Sequence, residues 1–321
     1  MTDILQKIEQ IGIVPVIKID DAAKAAPLAK ALVAGGIPAA EVTFRTAAGE
    51  TAIRAIASEC PDVLVGAGTV LNIEQCDRAI AAGAKFIVCP GYDEKLVAHC
   101  QEKNILILPG CSCPSDISKA VNAGLSVIKF FPAEQSGGVD YLKAIAPVYP
   151  GLRFMPTGGI SAKNLNQYLS FDRIVACGGS WMVGGDLIAG DRFDEIERLC
   201  AEAVRTMLGF APAHIGINAE NAEEALRAAQ MFAALFGFAV REGNSSIFAG
   251  SGVEIMKQPY LGRNGHIAIA TNSVSRAQAY LAGKGFAFDT DTAKYLPSGK
   301  LNAVYLKDEI CGFAIHLVDK A

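Results

Sequence analysis

Over its first two thirds the chain repeats one pattern: a short apolar run rich in β-branched residues, a small-residue turn, then an alanine-rich amphipathic stretch. The runs lie at 12–19, 39–44, 63–68, 85–89, 105–109, 126–130, 152–156 and 173–177. Each is nearly continuous in apolar residues, as parallel strands covered on both faces require. The intervening stretches have helical spacing. Within 22–34, Ala26, Leu28, Ala29, Leu32 and Val33 line one face, and 116–123 and 191–208 read alike, with glycine following several as a stop. Eight such units predict an α/β fold, a (β/α)8 TIM barrel. A doubly wound sheet is the rival, but its glycine-rich dinucleotide fingerprint does not follow the first strand. The first ten residues predict an extra amphipathic helix capping one end.

After Gly209-Phe-Ala-Pro-Ala213, which reads as a linker, the pattern changes. A strand starts at His214, a helix follows at 222–236, then Gly237-Phe238 and short strands at 246–249 and 253–257. His266 restarts the series: a helix at 273–282, Gly285-Phe286, and strands near 303–307 and 313–318. This is an internal duplication of a βαβββ unit, a smaller α+β domain of meander-like strands that cannot extend the barrel. The predicted domains are 1–208 and 213–321.

The length, 321 residues, fits a barrel carrying a second module, and 51% hydrophobic against 19% charged residues excludes a disordered chain, a collagen or a coiled coil. A net charge of −4 offers no basic field to nucleic acid or an anionic membrane. No apolar run reaches the roughly 18 residues of a membrane span. Acids near the N-terminus replace the basic and apolar stretch of a secretory leader, so a cytoplasmic protein is expected. Nine scattered cysteines read as reduced thiols, and Cys111-Ser-Cys113 lacks the two-residue gap of zinc and redox motifs. His99 reads as a surface residue.

Two charges are out of place. Glu41 and Lys129 interrupt apolar runs that otherwise read as barrel core, where an unpaired ion is costly. One reading is a buried ion pair that only joins strands. The other is chemical: burial disfavours the charged form of an amine, a neutral amine forms Schiff bases with carbonyl compounds, and a nearby carboxylate can move protons. Arg45, just beyond Glu41, is either a rim arginine or a planar fork for a substrate carboxylate. Gly158-Gly159 and Gly178-Gly179-Ser180 follow strands seven and eight, the loops in which such barrels often hold phosphate on bare backbone N–H groups. Ordinary turn glycines are the alternative.

The runs Glu41-Val-Thr-Phe-Arg-Thr46, Val65-Gly-Ala-Gly-Thr-Val70, Cys89-Pro-Gly91, Lys129-Phe-Phe-Pro-Ala-Glu134, Phe154-Met-Pro-Thr-Gly-Gly-Ile160 and Gly178-Gly-Ser-Trp181 closely resemble the 2-keto-3-deoxy-6-phosphogluconate / 4-hydroxy-2-oxoglutarate aldolases. The likeness spans about residues 1–205, with its motifs in family order. It implies a class I, metal-independent aldolase on a trimeric barrel, a lyase of carbohydrate metabolism in the Entner-Doudoroff pathway. It needs no cofactor and takes a small 2-keto acid, a phosphorylated sugar acid. By position Lys129 matches the Schiff-base lysine and Glu41 the general acid and base. Arg45, Thr69 and Pro90 match residues around the pyruvyl portion, and Gly158, Gly159 and Ser180 the phosphate site. One departure is a cysteine in Cys111-Ser-Cys113-Pro114, where relatives commonly have threonine.

Three of the four histidines, His214, His266 and His316, lie in predicted strands of the second module, and Glu254 occupies the strand that His316 occupies in the other half. Imidazoles with a carboxylate suit a divalent first-row metal; partly exposed strands also carry such residues for no purpose. The duplication resembles the vicinal oxygen chelate (glyoxalase/dioxygenase) superfamily over roughly 212–321. That resemblance implies that His214, Glu254 and His266 are metal ligands, with His316 where a glutamate is usual. The expectation is therefore an aldolase. Its second module is either a metal-dependent isomerase, lyase or dioxygenase, or a non-catalytic part that binds a small ligand or helps assembly.

Overall fold

The computed structural model describes residues 2–320. The chain divides after Met207 into two compact units.

In the first unit, strands β1 (Ile13–Ile17), β2 (Ala39–Thr43), β3 (Leu64–Gly68), β4 (Phe86–Cys89), β5 (Leu106–Cys111), β6 (Val127–Phe130), β7 (Arg153–Pro156) and β8 (Cys177–Gly179) form one parallel sheet. Its order is β7-β6-β5-β4-β3-β2-β1-β8, and parallel bridges Phe154–Ile174 and Thr157–Gly178 bring its two ends together into a nearly closed TIM-like barrel. Helices α1 (Thr2–Ile11), α2 (Ala25–Ala34), α3 (Gly49–Glu59), α4 (Ile73–Ala82), α5 (Glu94–Glu102), α6 (Pro114–Asn122), α7 (Gly138–Ile145), α8 (Leu165–Leu169), α9 (Gly185–Ala189) and α10 (Phe193–Leu208) complete it. Polar side chains set the helix starts where the sequence supplies them: Asn72 accepts from the Gln75 N–H and Asp93 from the Leu96 N–H.

The barrel interior alternates with period two along each strand. Val14, Ala39, Leu64, Phe86, Val88, Leu106, Leu108, Val127 and Met155 form its packed layers, and α1 closes their N-terminal end through Ile8, Ile4, Leu5 and Ile11. Glu41 stands two residues beyond Ala39, and Lys129 two beyond Val127. Both therefore point into the same interior, one layer nearer the strands' C-terminal ends. The eighth strand lies later than its apolar run. Val175 and Ala176 do pack in the core, but β8 pairs with β1 through Cys177, Gly178 and Gly179, which carry little apolar signal.

The second unit contains β9 (Ala211–Asn218), α11 (Ala222–Phe236), β10 (Val240–Glu242), β11 (Ser246–Ala249), β12 (Val253–Met256), β13 (His266–Thr271), α12 (Val274–Gly283), β14 (Phe288–Tyr295), β15 (Leu301–Leu306) and β16 (Ala314–Asp319). They form a mixed sheet ordered β10-β11-β12-β9-β13-β16-β15-β14. Each half is a βαβββ unit, and the halves meet where β9 and β13 run antiparallel. Residues 211–213 are strand rather than linker: Pro212 pairs with Ile269 at a register shift, a position at which a strand tolerates its missing N–H. Ala219, Ala225, Ala229, Ile247 and Ile255 pack α11 on the sheet. Among the described residues no helix is long and apolar enough to cross a membrane.

Candidate functional site

Lys129 Nζ lies 3.4 Å from Glu41 Oε1, with the lysine side chain 7% and the glutamate 0% exposed. Glu41 Oε2 is buried without a hydrogen-bond partner among the described residues. The Phe131 ring centroid is 5.1 Å from the amine. Gly68 leaves room for the Glu41 carboxylate, and Gly66 for the Phe86 ring. A Cβ on Gly68, beside Glu41 in β3, would sit 2.3 Å from Glu41 Oε1, and one on Gly66 would sit 2.4 Å from the Phe86 ring. The barrel thus holds a buried amine, a buried carboxylate with one oxygen unpaired among the described residues, and little else that is both buried and charged. Such a pair can add to a ketone and move a proton beside it.

Around this pair the strand ends carry the other expected residues. Arg45 Nε donates to Thr69 Oγ1 at 3.3 Å. Thr69 has φ 56°, a left-handed backbone unusual for threonine, immediately after β3. Pro90 follows β4, and its carbonyl passes so close to β5 that a Cβ on Gly110 would meet its oxygen at 2.1 Å. Gly158 and Gly159 follow β7 with φ 102° and 78°, in the region that favours glycine. Exposed Ser180 follows β8. Sequence reasoning gave no role to Thr157, whose buried hydroxyl has no partner among the described residues; a Cβ on Gly178, in β8, would sit 2.3 Å from that oxygen. Cys111 is buried at the end of β5, and half-buried Cys113 starts α6 with its Sγ 3.5 Å from Asp116 Oδ2. All nine cysteines are free. His99 is half-buried and paired with Asp77 at 2.8 Å.

In the second unit His214, Glu254, His266 and His316 converge. Strand register explains why. Glu254 and His266 both pair with Gly216, and His214 and His316 both pair with Ala268, so two adjacent rows present all four side chains on one face. The central residues are small for cause: a Cβ on Gly216 would lie 2.0 Å from the His266 ring. Glu254 Oε2 is 3.1 Å from His214 Nε2 and 3.2 Å from His266 Nε2, and Ser246 Oγ donates to Glu254 Oε1 at 2.5 Å. One nitrogen from each of the three imidazoles lies within 4.8 Å of the others. Burial works to raise the Glu254 pKa, but hydrogen bonds from His214, His266 and Ser246 outweigh it and hold the carboxyl well below its usual range. Burial first, then the neighbouring imidazoles, pushes His316 down to about 3, leaving it neutral. The Tyr305 ring stacks on His316 at 4.5 Å.

A family model, KDPG and KHG aldolase, matches residues 4–199. The 2-dehydro-3-deoxy-phosphogluconate aldolase of Treponema pallidum is 45% identical over 205 residues, 64% of this chain and 98% of that protein. The KHG/KDPG aldolase of Escherichia coli K12 is 46% identical over 192 residues, 60% of this chain and 90% of its own. Among solved structures, the Legionella pneumophila KDPG aldolase with pyruvate captured as a covalent carbinolamine superposes with TM-score 0.60 at 38% identity, over 61% of this chain and 96% of that one. The Zymomonas mobilis ZM4 2-keto-3-deoxy-6-phosphogluconate aldolase with 3-phosphoglycerate gives 0.58 at 40% identity, over 63% and 95%. The family match stops short of the second unit. Over the barrel, sequence, fold and the buried amine–carboxylate pair point the same way: the chain belongs to the KDPG and KHG aldolase family and is a class I aldolase, a carbon–carbon lyase.

Proposed function

We propose that the barrel cleaves 2-keto-3-deoxy-6-phosphogluconate to pyruvate and glyceraldehyde 3-phosphate, through a Schiff base on Lys129 with Glu41 as general acid and base. The observation that carries this is the buried Lys129–Glu41 pair, 3.4 Å apart. The carbinolamine held by the Legionella relative supports it. The unprotonated Lys129 amine adds to the C2 ketone, and loss of water leaves an iminium. Glu41 takes the C4 hydroxyl proton, the C3–C4 electron pair moves into the iminium, and glyceraldehyde 3-phosphate departs. The resulting enamine is protonated at C3, and hydrolysis frees pyruvate and the lysine. The iminium is itself the electron sink, so the reaction uses no cofactor.

In this reading Arg45 takes the substrate carboxylate as a planar fork. Thr69 and Pro90 enclose the pyruvyl portion, and the Gly158-Gly159 turn with Ser180 takes the phosphate. The 3-phosphoglycerate on the Zymomonas relative supports a phosphorylated product. The double name of the Escherichia coli relative supports 4-hydroxy-2-oxoglutarate as a second substrate, split to pyruvate and glyoxylate. The family resemblance further supports a cytoplasmic homotrimer, which the solution mass checks. Aldol cleavage of both substrates is the test: wild type turns over the phosphorylated one, and Lys129→Ala turns over neither. Cleavage retained by Lys129→Ala overturns the assignment.

A second reading concerns the second unit, because its cluster fits a cation. His266 Nδ1 and both ring nitrogens of His316 are buried without hydrogen-bond partners among the described residues. Three imidazoles and a carboxylate form a donor set for a divalent first-row metal, and His214, Glu254, His266 and His316 would hold it. Bound there, the metal would act as a Lewis acid toward a carbonyl ligand, making the chain bifunctional; without turnover, the module binds a small ligand. Ser246 orients the carboxylate, and Gly216 leaves room for the His266 ring. Elemental analysis of the purified chain should find one metal per chain, lost in Glu254→Ala with aldol cleavage unchanged. No stoichiometric metal in wild type rejects this reading.

A further inference from the structure

Beside the Gly158-Gly159 turn lies a pair that the cleavage chemistry leaves without a task. Glu134 ends the Lys129–Glu134 motif, and its side chain folds across the turn: a Cβ on Gly159 would meet Glu134 Cγ at 2.5 Å and Cβ at 2.7 Å. Its backbone N–H donates to the Gly158 carbonyl at 3.1 Å, while the preceding Ala133 N–H donates to the Thr157 carbonyl at 2.8 Å. The Gly159 carbonyl accepts from Asn164 Nδ2 at 3.0 Å. The turn is therefore fastened from two sides, and Glu134 supplies one of them.

Glu134 is fastened in its turn. The Tyr168 hydroxyl donates to Glu134 Oε1. Tyr168 belongs to α8 and is 1% exposed, so its ring cannot follow a drifting carboxylate. Gly138 keeps the space open, since a Cβ there would lie 3.3 Å from Glu134 Oε1 and 3.4 Å from the Tyr168 hydroxyl. Burial, then the Glu134 carboxylate, raises the Tyr168 pKa, which keeps the phenol protonated as the donor. A buried phenol tied to a charged acceptor is a strong and directional restraint.

We propose that Tyr168 and Glu134 are positioning residues that fix the depth and orientation of the Gly158-Gly159 turn, and thereby set the preference for substrates that carry a terminal phosphate. The inference rests on the assignment of that turn to the phosphate. The pair touches neither the Schiff-base lysine nor the carboxylate of Glu41 in any contact the structure shows, so its loss should act on binding of the phosphate end rather than on bond cleavage.

The test compares the full-length wild type with Tyr168→Phe, using 2-keto-3-deoxy-6-phosphogluconate and its unphosphorylated counterpart, 2-keto-3-deoxygluconate. Wild type should favour the phosphorylated substrate. Tyr168→Phe should lower the ratio of the two kcat/KM values about threefold to tenfold, the worth of one hydrogen bond, with the loss in KM for the phosphorylated substrate. Glu134→Ala, at an exposed position, carries the same test should Tyr168→Phe fail to fold. A preference unchanged in both variants overturns the positioning role, as does an equal loss on both substrates. A wild type without any preference for the phosphate overturns the assignment of the turn, and the inference with it.

Discussion

Gly68→Ala probes the active pair without touching either member. The new Cβ would lie 2.3 Å from Glu41 Oε1, 2.7 Å from Cγ and 2.8 Å from Cδ. Carbon contacts settle near 3.5 Å or more, so the carboxylate must retreat by about 1 Å. It has nowhere easy to go, because Glu41 is fully buried and its strand pairs with β1 at Val16 and with β3 at Gly66. A shift of that size at a catalytic group costs on the order of 100-fold in rate, and loss of general acid–base assistance costs about 10²- to 10⁴-fold. The expected kcat is therefore about 100-fold below wild type. Overpacking should also cost about 1–3 kcal/mol of stability. Gly66→Ala is the control: its Cβ would strike the Phe86 ring at 2.4 Å, so a similar steric burden falls first on that ring rather than on the carboxylate. Pyruvate release is followed under saturating substrate, with thermal melts on both variants. A folded Gly68→Ala within about threefold of wild-type kcat would refute the reasoning, as would equal catalytic damage from Gly66→Ala.

Two further outcomes separate structure from chemistry. Ile8→Ala empties a fully buried site under the barrel floor, where Ile8 packs with Val14, Ala39 and Phe86; denaturant unfolding should show a loss of about 2–5 kcal/mol. Its kcat at 25 °C should stay at the wild-type value, since the reacting groups lie toward the other end of the strands. The thiols should divide by burial. Cys89, Cys111 and Cys200 are pushed up to about 12 by burial, so only about one in 10⁴ is ionised at pH 8. An aromatic disulfide reagent should label exposed Cys311 rapidly and half-buried Cys113 more slowly. The remaining thiols should react only after unfolding, and fast labelling of several in the folded protein would contradict the packing described.

Much of this architecture was legible because its signals are local. Eight apolar runs with alanine-rich stretches between them specify a barrel, and a charge such as Glu41 or Lys129 within a run marks itself. The repeated His214 and His266 revealed the duplication, and with it the equivalence of Glu254 and His316. What escaped depends on neighbours. Gly68 and Gly66 look like any strand glycine until Glu41 and the Phe86 ring are seen beside them. Strand β8 begins where its apolar run ends, at Cys177, and Gly178 and Gly179 carry no side-chain pattern to mark it. Strands β10 and β14 are mostly polar and exposed, Val-Arg-Glu and Phe-Asp-Thr-Asp-Thr-Ala-Lys-Tyr, so hydrophobic alternation could not announce them. Pro212 suggested a linker, yet a register shift lets β9 run through it. The Tyr168–Glu134 contact joins residues 34 positions apart and leaves no trace in either motif.

The central claim is that the amine beside Glu41 captures the keto acid covalently. Incubating the full-length chain with pyruvate, reducing with borohydride and mapping the modified peptide by mass spectrometry addresses it directly. One reduced pyruvyl group per chain, located on Lys129 and absent from Lys129→Ala, is the predicted result. Trapping at any other lysine, or no adduct in an enzyme that still cleaves its substrate, would contradict it.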